Sequence, residues 1–143
     1  MKKIKMSSLE RVLTTLGHNE PDRVPFFLLT TMHGAKELGL SIKEYFSNAE
    51  NVVEGQLRMR AKYRDDCYNS LFYAAVEVEA WGGDVIYFED GPPNAGVPII
   101  RNIDDINRLE PPDIEKSNCL KKVLKATEML KREVNDDAPI IRA

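Results

Sequence analysis

Short apolar runs alternate along the sequence with segments that begin at helix-capping residues, and this alternation limits the folds available to the chain. Residues 24–29 and 84–88 form apolar runs of strand length, and residues 67–73 and 138–141 give two further strand predictions. Apolar runs of this length suit strands that are buried on both faces, as in parallel sheets. Strands that alternate with helices therefore predict a parallel α/β sheet.

The helices are predicted from capping residues and from the spacing of apolar side chains. The Ser-x-x-Glu spacing of a capping box occurs twice, and an asparagine precedes a third helix: these residues are Ser7 and Glu10, Ser41 and Glu44, and Asn48. Further helices are predicted over residues 35–38, 49–63, 74–81 and 114–134. In the first helix we expect one buried apolar face, formed at i, i+3, i+4 and i+7 by Leu9, Val12, Leu13 and Leu16.

The length of the chain indicates how much of such a fold it holds. A complete (β/α)8 barrel takes typically about 250 residues, whereas this chain has 143, and residues 138–141 have the pattern of a further β/α unit beginning. We therefore predict the N-terminal half of a (β/α)8 TIM-type barrel, as a single incomplete α/β domain over residues 1–143. An alternative is a small α/β fold that closes on itself, with residues 140–141 as an edge strand.

Charge and hydropathy exclude several kinds of partner. The 23 acidic and 20 basic side chains give a formal charge of −3, and the short basic start, Lys2, Lys3 and Lys5, is typical of a solvated tail. We therefore expect no nucleic-acid partner. No apolar run approaches the roughly 20 residues of a membrane helix, and no apolar stretch follows the charged N-terminus as in a secretory signal. We expect no membrane partner and a cytoplasmic location.

The potential metal ligands are few and widely spaced. The two cysteines, Cys67 and Cys119, do not form a Cys-x-x-Cys pair, and His18 and His33 are the histidines of the sequence. No two of these side chains have the spacing of a zinc motif. We expect buried free thiols in a reducing compartment and no metal site within this chain.

Two stretches of the sequence resemble the opening of the uroporphyrinogen decarboxylase family, which includes cobalamin-dependent methyltransferases that act on methylated corrinoid proteins. The first stretch comprises residues 8–13, Gly17 and Pro21-Asp22-Arg23-Val24-Pro25. The second comprises residues 79–93, with Glu79-Ala80-Trp81-Gly82-Gly83 at its start, and residues 103–113. The resemblance covers nearly all of this chain and implies the first part of the family's barrel.

Within this family, the sequence is more similar to the methyltransferase branch than to the decarboxylases. Decarboxylases follow the first strand with an Arg-Gln-Ala-Gly-Arg-Tyr loop, whose arginines suit a substrate with many carboxylates. Here residues 30–35 contain no arginine, and Tyr73 occupies the place of the decarboxylases' pyrrole-binding aspartate. Uroporphyrinogen decarboxylase of porphyrin biosynthesis stays open as an alternative function.

The resemblance implies transfer of a methyl group from a corrinoid to a thiol, with zinc as the metal that holds the thiol. The zinc ligands of that branch lie in the C-terminal half of the barrel, so zinc and a corrinoid are implied for a full-length relative and neither is expected to bind to this chain alone. We expect the chain alone to be inactive. The implied partners are a corrinoid protein and a complementing C-terminal half, and a third possibility is a non-catalytic half-barrel that self-associates as a homo-oligomer.

Candidate substrate-binding residues follow two predicted strands, because chemistry in a barrel of this kind takes place at the carboxyl ends of the strands. Thr31, Met32 and His33 follow the first strand, and Glu89 and Asp90 follow the strand at residues 84–88. The imidazole of His33 suits proton transfer or substrate orientation, and the two carboxylates suit an acid/base pair or a cationic group. No catalytic residue is identified.

Each of these residues also has a structural interpretation. His33 is typical of a loop histidine that hydrogen-bonds to the next helix, and Asp90 precedes Gly91 as in an ordinary turn. Among the remaining polar and aromatic residues, we expect Arg23 to form a structural salt bridge and Trp81 to pack in the core.

Overall fold

The computed structural model of the protein describes residues 5–70 and 72–141 and contains helices and short strands in mixed order. The helices are α1 (Ser8–Leu16), α2 (His33–Leu38), α3 (Ile42–Tyr45), α4 (Ala49–Tyr63), α5 (Val76–Ala80), α6 (Ile103–Arg108) and α7 (Asn118–Val134). The strands are β1 (Tyr68–Asn69), β2 (Val85–Ile86), β3 (Asn94–Ala95) and β4 (Ile140–Ile141). Among the described residues, no helix is long and apolar enough to cross a membrane.

Two parallel strands form a layer against which α4 and α7 pack. β1 pairs with β4 in parallel, with Tyr68 opposite Ile140. Residues 24–29 lie along the other side of β1, where the backbone N–H of Asp66 donates to the carbonyl oxygen of Phe26 at 2.7 Å. The segment at residues 24–29, β1 and β4 therefore follow one another in sequence order, as the first strands of a (β/α)8 barrel do.

The expectation that residues 24–29 are buried on both faces is wrong for this chain. They run extended without forming a ladder, and Val24 is 82% exposed. The cause is the lack of a neighbour, since no strand in the described ranges pairs with the outer edge of this segment. An apolar strand edge is consequently open to solvent.

The predicted strand at residues 84–88 does not belong to the parallel sheet. Its central pair, β2, forms an antiparallel hairpin with β3, and Val85 lies opposite Ala95. A connection of seven residues that contains Gly91, Pro92 and Pro93 returns the chain directly and leaves no room for the long crossover that parallel strands require. Of the four predicted strands, two therefore pair in the parallel sheet within the described ranges, and residues 24–29 lie beside them as an extended segment.

The core contains a cluster of aromatic rings between the helices. Tyr45, Phe46, Phe72 and Tyr73 are buried and in contact, with neighbouring ring centroids 4.9 to 6.5 Å apart. Trp81, which we expected in this core, is instead 38% exposed, because it lies at the C-terminal end of the short helix α5.

The first helix confirms its predicted cap but not its predicted buried face. Ser7 Oγ accepts from the N–H of Glu10 at 3.2 Å, and the Glu10 carboxylate accepts from the N–H of Ser7 at 2.8 Å. Leu16, however, is 70% exposed, as Leu13 largely is, and Arg11 is the buried side chain of the helix. The helix turns Arg11 inward because the guanidinium meets two carboxylates there, which apolar periodicity alone does not reveal.

Candidate functional site

The connections that leave the carboxyl ends of the first two barrel strands contain the candidate residues. The first connection, after residues 24–29, leads into α2 at His33. The second, after β1, comprises residues 70–117 and includes α5, the hairpin and α6 before α7 begins. Because the carboxyl ends of parallel strands meet at one edge of the sheet, these connections lie on the face where barrel enzymes place their active sites.

A cleft of about 520 Å³ lies between these two connections. Four of the five predicted residues line it: Met32 and His33 from the first connection, and Glu89 and Asp90 from the second. The structure thus brings together residues that are about 57 positions apart in the sequence. A cleft of this volume is in the range of small-molecule sites.

The fifth predicted residue, Thr31, lies beside the cleft and contacts its surroundings through its backbone. Its carbonyl oxygen is 3.5 Å from Nε2 of Gln56, and Oε1 of Gln56 accepts from the N–H of Asn69 at 3.2 Å. Gln56 is buried, so this one side chain connects the ends of the first two barrel strands. Gln56 lies within the helix predicted over residues 49–63, and no local motif of the sequence indicates its bridging role.

The two walls of the cleft differ in charge. Lys36 and His33 belong to α2 on one wall, whereas the opposite wall presents the carboxylates of Glu89 and Asp90. The apolar side chains of Met32, Leu40 and Ile42 complete the lining. This arrangement can hold a small ligand that carries both polar ends and an apolar part, with the imidazole available for proton transfer. Lys36 was missed in the sequence because its role depends on the cleft and not on a motif.

Tyr73 does not line the cleft. It is buried against Phe46 and Tyr87, and its hydroxyl donates a hydrogen bond to the carboxylate of Glu79. Burial and this hydrogen bond raise the pKa of Tyr73 far above the ordinary value of a phenol, so the side chain stays neutral. A buried neutral phenol cannot replace an aspartate that binds pyrrole N–H groups.

The described residues do not fit a zinc site. Within residues 5–70 and 72–141, no three His, Cys, Asp or Glu side chains lie where they could hold a metal ion together. Burial raises the pKa of the Cys67 thiol to about 11, so it is not a ready thiolate ligand. Cys119 is also buried and contacts the hydroxyl of Ser117 at 3.2 Å.

The opposite, amino-terminal end of the strands holds a network of arginines and aspartates around Asp66. This fully buried carboxylate accepts from Arg11 at 2.6 Å, from Arg23 at 2.6 and 2.8 Å, and from the N–H of Phe26 at 2.8 Å. The predicted structural salt bridge of Arg23 is therefore confirmed. Because the network lies before β1 and not after it, these arginines belong to the stabilising face of the barrel and not to the cleft.

Comparison with known proteins places these features in a family. The family described as Uroporphyrinogen decarboxylase (URO-D) matches residues 7–143, whereas no curated protein matches the chain. A solved structure of a methyltransferase from Methanosarcina mazei is similar with a TM-score of 0.73 and 18% sequence identity, over 96% of this chain and 42% of that one. At this identity the likeness establishes the fold, and the chain spans less than half of that methyltransferase.

Proposed function

Because the chain belongs to the uroporphyrinogen decarboxylase family, we propose that it is the N-terminal segment of a member that moves a methyl group from a corrinoid to a thiol. The observation that carries this proposal is the lining of the cleft. None of the described residues that line it is an arginine, and Lys36 is its one fixed cation. A site for a substrate with many carboxylates requires several fixed cations, whereas a methyl acceptor does not.

Decarboxylation of uroporphyrinogen is the less favoured alternative. Besides the missing arginines, it requires an anion that holds pyrrole N–H groups, and the side chain at the equivalent place is the buried, neutral Tyr73. The Tyr73 hydroxyl is already engaged by Glu79 inside the chain. We therefore assign the cleft to the methyltransferase branch.

In this proposal the chain contributes the substrate-binding side of the catalytic face. Met32 contacts the apolar part of the ligand, His33 and Lys36 approach it from one wall, and Glu89 and Asp90 from the other. Thr31 acts through its backbone, which Gln56 holds against the end of β1. A bound corrinoid would supply the methyl group, and since the described residues form no metal-ligand set, no role in holding zinc is proposed for them.

The partners proposed are a corrinoid protein, which would bring the methyl donor, and a C-terminal half that completes the barrel. The chain spans 42% of the Methanosarcina mazei methyltransferase, and its open strand edge at residues 24–29 is apolar. The same exposed edge supports the alternative of a non-catalytic half-barrel that self-associates. We place the protein in the cytoplasm, where the free thiols of Cys67 and Cys119 would stay reduced.

The test is methyl transfer from methylcobalamin to 2-mercaptoethanol, which is measured as the loss of methylcobalamin absorbance. It is measured on the product of the native gene read beyond codon 143, and on the chain alone, for which we expect no turnover. His33→Ala and Glu89→Gln are each expected to lower kcat/KM about tenfold, which corresponds to a loss of about 1.4 kcal/mol of transition-state stabilisation. Glu133→Gln, an exposed position on α7, is the matched control and should leave the rate unchanged.

Two outcomes would contradict the proposal. Release of carbon dioxide from uroporphyrinogen, without methyl transfer, would favour the decarboxylase. A reading frame that stops at codon 143, with no activity toward either substrate when Zn²⁺ is supplied, would favour the non-catalytic half-barrel.

A further inference from the structure

Charge is distributed very unevenly along this chain. Residues 77–113, which we call the acidic excursion, carry nine acidic and two basic side chains and so have a formal charge of −7. Because the whole chain has a charge of −3, the remaining residues carry +4. Such a separation of charge within one small chain creates fields that act between molecules.

The acidic excursion also exposes an apolar cleft. The cleft has a volume of about 470 Å³, and Val78, Trp81, Ile100 and Leu109 are among the side chains that line it. Seven large apolar side chains of the excursion are exposed: Trp81, Ile86, Phe88, Val97, Ile100, Ile103 and Ile106. An exposed apolar patch with a charged rim is typical of a protein-binding surface.

The outer face of α7 has the complementary character. α7 contains five basic and two acidic side chains, and Leu124, an apolar side chain, is 49% exposed on its outer face. Lys121 lies about one turn before Leu124 and Lys131 two turns after it; both are exposed, and neither forms an ion pair with another residue in the described part of the chain. The helix thus presents one apolar side chain between cations, which suits an apolar cleft that is lined in part by Glu77 and belongs to a segment with a formal charge of −7.

We propose that the acidic excursion of one molecule binds the outer face of α7 of a second copy of this chain, with Leu124 entering the cleft beside Trp81. The two surfaces are different, so the contact is head-to-tail and leaves one free surface of each kind at the ends of a dimer. The proposal does not depend on methyl transfer. Of the candidate site residues, Glu89 and Asp90 belong to the acidic excursion, and the others lie outside both surfaces. Association through charge should be weakened by salt.

Sedimentation velocity of the full chain tests this contact. Because the contact is head-to-tail, we expect concentration-dependent dimers and longer oligomers at low salt, and a dissociation constant at least tenfold higher at about 0.5 M salt. Leu124→Glu should abolish the dimers, whereas the matched control Leu13→Glu, at an exposed position on α1, should leave them unchanged.

Charge reversal gives the sharper test. One double variant combines Lys121→Glu with Lys131→Glu on α7, and the other combines Asp104→Lys with Glu110→Lys in the acidic excursion. Neither variant should self-associate. An equimolar mixture of the two should associate, because each altered surface then meets a surface of opposite charge. Recovery in the mixture also shows that both variants are folded. A monomer at all concentrations, or dimers that persist in high salt and in Leu124→Glu, would overturn the proposal, the latter outcome pointing to the open edge at residues 24–29 instead.

Discussion

At the scale of single residues, Asp66 is the side chain on which the most neighbouring groups depend for a hydrogen-bond acceptor. Its carboxylate is fully buried and accepts from Arg11, Arg23, Ser8 and the N–H of Phe26, so it connects α1, the first strand segment and the start of β1. Removal of one charge from a buried pair leaves its partner unpaired, which costs about 3–5 kcal/mol. The replacement of Asp66 therefore affects more of the fold than its size suggests.

We predict that Asp66→Asn lowers the free energy of unfolding by about 3 kcal/mol, the lower end of that range, because Arg23 is half exposed and can turn to water. Urea unfolding followed by circular dichroism measures the change. The control is Glu54→Gln, which removes an exposed pair with Arg58 and should cost less than about 1 kcal/mol. Equal losses in the two variants would show that burial of the network contributes nothing.

The pH dependence of the same unfolding gives a second measurement of this network. Burial raises the pKa of Asp66, but the hydrogen bonds from Arg23 and Phe26 outweigh burial and the net shift is downward. The Arg11 guanidinium holds the pKa of Asp22 well below its ordinary value. Both folded-state pKa values lie below the unfolded value of about 3.9, so the stability they contribute is present above pH ~4 and is lost as the pH falls below it. In Asp66→Asn, the free energy of unfolding should fall less steeply as the pH is lowered below ~4. An unchanged dependence on pH in that range would contradict the role given to the Asp66 carboxylate.

At the scale of elements, the crossing of α2 and α4 depends on two glycines. A Cβ on Gly55 would lie 2.6 Å from the ring of Tyr45 and 2.9 Å from the Cα of Gly34. Both contacts are too short for a carbon atom, so the helices can approach this closely only because neither glycine has a side chain. The glycine that weakens α4 by about 1 kcal/mol is the one that permits its packing.

We predict that Gly55→Ala destabilises the protein by about 1–3 kcal/mol, despite the better helix propensity of alanine, because the added methyl overpacks the crossing. Tyr45→Leu makes room at the same place, so the alanine should cost less in that background. The double-mutant cycle, measured by thermal unfolding, should give a coupling energy above about 0.5 kcal/mol. Additive effects would show that the cost of the added methyl does not arise from its contact with Tyr45.

The helices were more predictable from the sequence than the strands, for a physical reason. Ser7, Ser41 and Asn48 cap helices through contacts within four residues, so local spacing was sufficient to find them. The partner of Val85 depends instead on a turn that returns the chain to Ala95, ten residues later, and the apolar composition of the run did not distinguish the two kinds of sheet. The buried position of Arg11 depends on Asp66, 55 residues away, and no local pattern encodes it.

The candidate cleft was predictable in part for a related reason. The rule that chemistry follows the carboxyl ends of strands led to Met32, His33, Glu89 and Asp90, which line one cleft. Glu89 lines that cleft from the end of a hairpin strand and not after a barrel strand, so the rule led to this cleft through a wrong strand assignment. Lys36 and Gln56 act only through tertiary contacts and therefore needed the structure.

At the scale of the whole molecule, three extended segments that correspond to strands of an eight-stranded barrel lie side by side. Because eight is not a multiple of three, whole copies of this chain cannot together supply eight strands. β1 pairs with β4 on one side, where the N–H of Ser70 donates to Ile141, and on its other side the N–H of Asp66 donates to Phe26 of the extended segment at residues 24–29. The outer edge of residues 24–29 has no strand partner in the described part of the chain. A C-terminal half of the kind we propose would therefore have to add five further strands to complete an eight-stranded barrel, which whole copies of this chain would not do.

This difference between the strands predicts the pattern of amide hydrogen exchange. In the chain alone, the N–H groups of Val24 and Leu29 should exchange fast, while those of Tyr68 and Ser70, which donate to Pro139 and Ile141, should be protected about as strongly as the global stability allows. Exchange measured by NMR compares these amides within one sample, so α4 serves as the protected internal reference. In the product extended beyond codon 143, Val24 and Leu29 should gain protection as a new strand pairs with them. Strong protection of these two amides in the chain alone would instead favour a small α/β fold that closes on itself, and the open edge would then have no role in binding a C-terminal half.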